Sequence, residues 1–296
     1  MKKLPEIFAV ILFTFTSLLA ILVSQVFSSQ EGVQSASSGT QSILYIILFT
    51  AMTVIFSAAV LFVARRKGMR IVKGLFMVLS LYVIFVVSLP ISIILVTAQV
   101  YVINSYSILE VYAIWFGIPV IMAYLLLFRR EWYVMNAVGI LLCVGLSSIW
   151  GITLNAWYTV LLLSIFAVYD YIAVYRTKHM IDLADVSIKG GMPMLFYIPE
   201  RRGTSMHDVS IESGREGSGT MLLGFGDIAL PSIMVVSSAI YGSYSLFPFI
   251  ILPIVGAVAG MILLFIFARK PAPGLPYINA GAILGFLAAF LISVYL

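Results

Sequence analysis

Of the twelve acidic residues in the chain, two lie where a carboxylate is costly. Asp170 sits in "FAVYDYIAVY" and Asp227 in "LLGFGDIALPS". Both stretches otherwise have the composition of membrane helices, where a buried carboxylate costs roughly 2.5–3.5 kcal/mol on insertion scales. Two aspartates brought face to face share one proton near neutral pH, because close like charges resist double ionisation. The ionised member can then deprotonate a water while the protonated one polarises a carbonyl, and both titrations belong to the pair. That is hydrolysis if water reaches the pair. A proton- or sodium-coupled secondary transporter or channel would use the same two acids as a relay or ion path, and the residues alone leave both readings standing.

The other acids are placed less suggestively. Glu6, Glu31 and Glu131 flank apolar segments, and Asp182, Asp185, Glu200, Asp208, Glu212 and Glu216 fall in one long polar connection. Glu110 opens an apolar segment near its outer end, within reach of water. Both histidines, His179 and His207, lie in the same connection, so Cys143 has no intramembrane histidine beside it. A membrane Ser–His or metal-dependent protease is thereby disfavoured. No glycine-rich loop with a phosphate-binding lysine appears, and no metal or cofactor is expected. A single cysteine permits no internal disulfide.

The elements that must hold the two acids are membrane helices. The chain is 62% hydrophobic and 10% charged, with a mean hydropathy of +1.12, against roughly 25% charged residues in a soluble domain. Polar punctuation leaves nine apolar segments, at 7–28, 43–64, 71–103, 108–128, 132–150, 154–175, 219–241, 245–268 and 276–296. Each approaches the ~20 residues a spanning helix needs. The third is over-long, but splitting it at Pro90 would put Arg129 and Arg130 on the wrong side. Kept whole, it places all 17 Lys and Arg on one side, at the N-terminus, 65–73, 129–131, 176–218 and Arg269–Lys270. By the positive-inside rule the N-terminus is cytoplasmic and the C-terminus outside. The net charge of +5 is thus a topology signal and not a nucleic-acid patch. The first segment is longer than a signal-peptide core, so it is expected to stay as an anchor.

The expected fold is an all-α polytopic membrane protein with nine transmembrane helices in one membrane domain. Residues 1–175 hold helices one to six, 176–218 a flexible cytoplasmic loop, and 219–296 helices seven to nine. The loop ends in "SIESGREGSGT", a linker composition, while its middle, "GGMPMLFYIPE", is apolar enough to lie on the membrane or plug a cleft. Segments six and seven are antiparallel. At 1.5 Å per residue, Asp170 is roughly 9 Å and Asp227 roughly 12 Å from the cytoplasmic ends of their helices, so the two can face each other. Gly256 and Gly260 in "GAVAG", and Gly281 and Gly285 in "GAILG", have the GxxxG spacing of close helix packing. Trp132 and Tyr133 suit interfacial anchoring.

Tyr169-Asp170, Gly224-Phe225-Gly226-Asp227 and Pro273-Gly274-Leu275-Pro276 resemble the YD, GxGD and PAL motifs of the presenilin and signal peptide peptidase family. The order and the sixth, seventh and ninth helix positions match. Gly274 departs from the family's usual alanine. Signal peptide peptidases have the opposite orientation, so the charge pattern resembles the presenilin-like branch, and the short tail and outer loops resemble its compact archaeal-type members. The resemblance implies an intramembrane aspartyl protease cutting single-pass transmembrane substrates, with Asp170 and Asp227 catalytic. It implies that Met221, Leu222 and Leu223 pair with an unwound substrate, and that Pro273, Gly274 and Leu275 support the site and touch the substrate. Tyr169 either donates a hydrogen bond near the pair or packs. Gly224 and Gly226 are expected to let the chain bend and approach closely, and alanine at Gly274 to preserve activity. The partners implied are the lipid bilayer and substrate helices. No obligatory partner subunit is expected and homo-oligomerisation is left open, in the cell membrane if the source is microbial.

Overall fold

A computed structural model of the chain describes residues 4–28, 39–66, 69–103, 108–129, 131–176, 194–199, 220–267 and 273–295. In chain order these form α1 (Leu4–Ser28), α2 (Gly39–Arg66), α3 (Met69–Ile103), α4 (Ile108–Phe128), α5 (Trp132–Thr153) and α6 (Ala156–Tyr175). Two strands follow, β1 (Leu195–Pro199) and β2 (Thr220–Gly224), then α7 (Phe225–Tyr241), a π-helical turn at Leu246–Ile250 leading into α8 (Ile251–Phe267), and α9 (Leu275–Tyr295). Among the described residues, eight helices are long and apolar enough to cross a membrane, α8 counting with its leading turn. The protein is a multi-pass integral membrane protein, and large side chains such as Phe116, Val120, Leu127 and Leu284 face outward on it.

Two expectations are corrected here. The seventh apolar segment is not one helix from residue 219: its first residues are β2, and α7 begins at Phe225 with 17 residues. Apolar composition alone does not separate a short strand from a helix start. Asp227 is therefore third in α7, inside its first turn, rather than two turns deep. The connection at 176–218 is not wholly linker, because β1 lies in its apolar middle; the remainder, with His179 and His207, is outside the described residues. The over-long third segment is a single helix of 35 residues with Pro90 inside it. Proline withholds an N–H from that stretch. Nearby, the Phe85 carbonyl accepts from the Trp115 indole at 3.1 Å and from Ser88 Oγ at 2.8 Å, which docks α4 on α3.

The core gathers around α7, buried along almost its whole length from Ile228 to Ala239. Small polar side chains let its neighbours approach. Ser17 of α1 hydrogen-bonds Ser232 at 2.8 Å. On α5, Cys143 and Ser147 reach the carbonyls of Phe225 and Ala229 at 3.5 and 3.0 Å, so α5 and α7 run parallel. On α9, the Leu275 N–H reaches Asp170 and the Asn279 amide reaches the Leu163 carbonyl, so α6 and α9 are antiparallel. The glycine pairs meet as their spacing suggests. A Cβ on Gly256 would overlap the Gly281 carbonyl, one on Gly260 the Tyr277 carbonyl, and one on Gly285 the Leu252 carbonyl.

Candidate active site

Asn155 starts α6 as its N-cap, accepting the Trp157 N–H at 3.2 Å. From there Thr159, Leu162, Leu163, Phe166, Asp170 and Ala173 recur every three or four residues as the buried stripe. Asp170 thus sits on the inward face, 5% exposed. Its Oδ2 accepts the Leu275 N–H at 3.2 Å. Leu275 is the first residue of α9, where backbone N–H groups lack helical partners and the dipole is positive. Asp227 uses the same physics on its own helix. Its Oδ2 accepts the Gly224 N–H, the N-cap donor of α7, at 3.2 Å.

The turn before α9 brings the two acids together. Asp170 bonds Leu275 there, and Asp227 lies against Gly274, where an added Cβ would stand 2.8 Å from Oδ1. The two carboxylates are within electrostatic reach of each other. Pro231 has no N–H, so the Asp227 carbonyl has no donor four residues on.

The remaining expected residues divide. Pro273 and Gly274 are buried at the turn. Leu275 is 3% exposed, its side chain in a buried cluster with Phe166, Leu230 and Ile233. Tyr169 packs edge-on against Phe166, ring centroids 6.2 Å apart. Gly224 has φ −67°, which any residue adopts; its use is closeness, since a Cβ would stand 3.1 Å from Asp227 Oδ2. Around Gly226, by contrast, an added Cβ would meet no described atom within 4 Å. This leaves room beside Asp227 instead of a tight approach. At Gly274 an alanine methyl would meet the Asp227 carboxylate, the free end of a side chain that would have to turn.

Met221, Leu222 and Leu223 form most of β2, which pairs antiparallel with β1, Tyr197 opposite Leu222. Sequence reading missed Asn136 of α5. Its Nδ2 donates to the Tyr197 carbonyl and its Oδ1 accepts the Tyr197 N–H, both at 2.8 Å. An asparagine recognising backbone leaves no motif; its one signal was an amide in an apolar segment. Because Asn136 takes both backbone groups of Tyr197, these point away from β2. In an antiparallel pair the facing residue then points its own groups away too. Leu222 therefore turns its N–H and C=O to the outer edge of β2. The Phe225 N–H bond to the Met194 carbonyl at 3.2 Å and the outward Gly224 N–H fix the same parity. That outer edge ends at Asp227.

Residues 10–294 match the family model described as signal-peptide peptidase, presenilin aspartyl protease. A solved presenilin family intramembrane aspartate protease in space group C222 is similar with TM-score 0.64 and 26% identity, over 99% of this chain and 100% of that one. A P2 crystal structure, also of a presenilin family intramembrane aspartate protease, gives 0.62 and 27%, over 95% and 96%. No curated protein matches. The transporter reading is left without support. With a match over residues 10–294 and two aspartates meeting at one turn, the chain belongs to the signal-peptide peptidase, presenilin aspartyl protease family and is an intramembrane-cleaving aspartic endopeptidase.

Proposed function

We propose that Asp170 and Asp227 are the catalytic pair and that the substrates are single-pass transmembrane helices. The observation that carries this is the turn at 273–275, where Leu275 donates to Asp170 and Gly274 lies against Asp227, whose own donor is Gly224. One carboxylate, ionised, takes the proton of the attacking water; the other, protonated, donates to the scissile carbonyl. The roles belong to the pair and not to one residue.

A helical peptide bond hides its carbonyl in i→i−4 bonding, so the substrate must unwind, and bare backbone is tolerated in a membrane only against protein or a water-filled cavity. The outer edge of β2 offers replacement bonds by strand addition. Leu222 supplies an N–H and a C=O, Met221 and Leu223 flank it, and the open space at Gly226 leaves room for the chain beside Asp227. In this reading α7, extended by β2, completes nine crossings with the N-terminus cytoplasmic, and the protein acts without obligatory partner subunits.

The test is cleavage of a reconstituted single-pass substrate by wild type, Asp170→Asn and Asp227→Asn. Each variant keeps the side-chain size but not the acid–base chemistry, and cleavage is expected to fall by about a thousandfold while the protein stays folded. Substantial turnover by either folded variant would remove the pair from the mechanism.

A further inference from the structure

Two-stranded ribbons are marginal on their own, yet β1–β2 must hold the edge that meets the substrate. Its back edge is β1, and α5 closes it. Asn136, 5% exposed, makes the two bonds a third strand would make, donating to and accepting from the same residue, Tyr197. One turn on, Gly139 leaves no room for a side chain: a Cβ would stand 2.5 Å from the Phe225 ring and 2.7 Å from the Phe196 ring. Those rings, 4.6 Å apart, join β1 to the first residue of α7. Pro199 has no N–H, and it falls where that N–H would face away from β2. Every one of these features favours a single register.

We propose that Asn136 is a positioning residue of the protease: its carboxamide closes the back edge of β1 and holds the ribbon in the register that leaves Leu222 open beside Asp227. This rests on the proposed role of the β2 edge in taking the substrate strand. The template is then formed before substrate arrives. A one-residue slip of the ribbon would turn Leu222 inward and expose Met221 and Leu223 instead. The peptide bond delivered to the aspartates would change with it.

Asn136→Leu keeps a similar volume and removes both bonds; Asn136→Gln keeps both groups on a longer arm. With a single-pass substrate, Asn136→Leu is expected to spread the product termini over neighbouring peptide bonds and to raise KM about tenfold. Asn136→Gln should restore the wild-type termini at least in part. A purely structural role would lower melting temperature and activity together and leave the cut bond unchanged. A folded Asn136→Leu that cuts the wild-type bond with wild-type KM overturns the proposal. Residue-resolved amide exchange on the wild-type protein without substrate decides it independently, should that variant not fold. Tyr197, Met221 and Leu223 are expected to be protected and Leu222 to exchange fast; Tyr197 exchanging as fast as Leu222 overturns the clamp. Failure of the catalytic reading looks different, as wild type would leave every substrate uncut with the exchange pattern intact.

Discussion

Asp170 and Asp227 each take one backbone N–H, but from different sources, and this shapes what substitutions near them should do. Asp170 depends on the start of another helix, α9, whereas Asp227 is held by the N-cap of its own. At low pH both carboxyls are protonated and the base is lost; at high pH both are ionised and the acid is lost. The cleavage rate should pass through a maximum with both limbs belonging to the pair, and a profile flat from pH 4 to 9, with chemistry rate-limiting, would contradict a shared proton. Gly274→Ala tests the contact between the turn and Asp227. Its methyl would sit 2.8 Å from Oδ1, so the carboxylate must turn, straining its bond to Gly224. Replacing glycine where φ is ordinary also narrows the unfolded ensemble. Cleavage is therefore expected to fall severalfold with melting temperature unchanged or raised. Full activity would mean that the carboxylate has a second position equally fit for the chemistry.

At the level of elements, what the sequence disclosed was what periodicity and local motifs encode. Asp170 and Asp227 were visible because a charge in an apolar helix is conspicuous, and the glycine pairs because GxxxG is a spacing rule. A Cβ on Gly281 would overlap the Gly256 carbonyl, which is backbone and cannot yield. Gly281→Val is accordingly expected to cost about 1–3 kcal/mol or more, read as a lowered melting temperature in detergent, with cleavage falling in step because α9 carries Leu275 to Asp170. What stayed hidden was non-local. The strand β1 reads as one more apolar patch in a long connection, and becomes a strand through β2, which starts more than twenty residues later, and through Asn136 on a different helix. The first residues of the seventh segment read equally as helix, and pairing made them extended. Leu275 was visible from its motif, but not that its side chain packs with Phe166 and Leu230 while its N–H meets Asp170.

Across the whole molecule, helix directions bear on how many times the chain crosses the membrane. Leu275 meets Asp170 while Asn279 meets Leu163, so α9 runs opposite to α6. If α7 crossed only part-way and α8 crossed fully, α9 would return parallel to α6. The observed direction requires α7 and α8 to behave alike. α8 with its leading turn is 22 residues and long enough to cross, so the proposed topology has α7 cross too. Its 17 residues span about 26 Å against a hydrocarbon core of ~30 Å, and β2 supplies the remainder on the side of the aspartates. In that proposed topology the same side carries all 17 Lys and Arg, and the positive-inside rule makes it cytoplasmic. In the proposed topology nine crossings separate the termini. A tag at the C-terminus should be labelled from outside intact cells, and a tag inserted near Ser213 only after the membrane is opened. Labelling of both from the same side would leave an even number of crossings between them, removing α7 or one of its successors from the count and, with it, the antiparallel pairing of α6 and α9 that holds Asp170 on the α9 N-terminus.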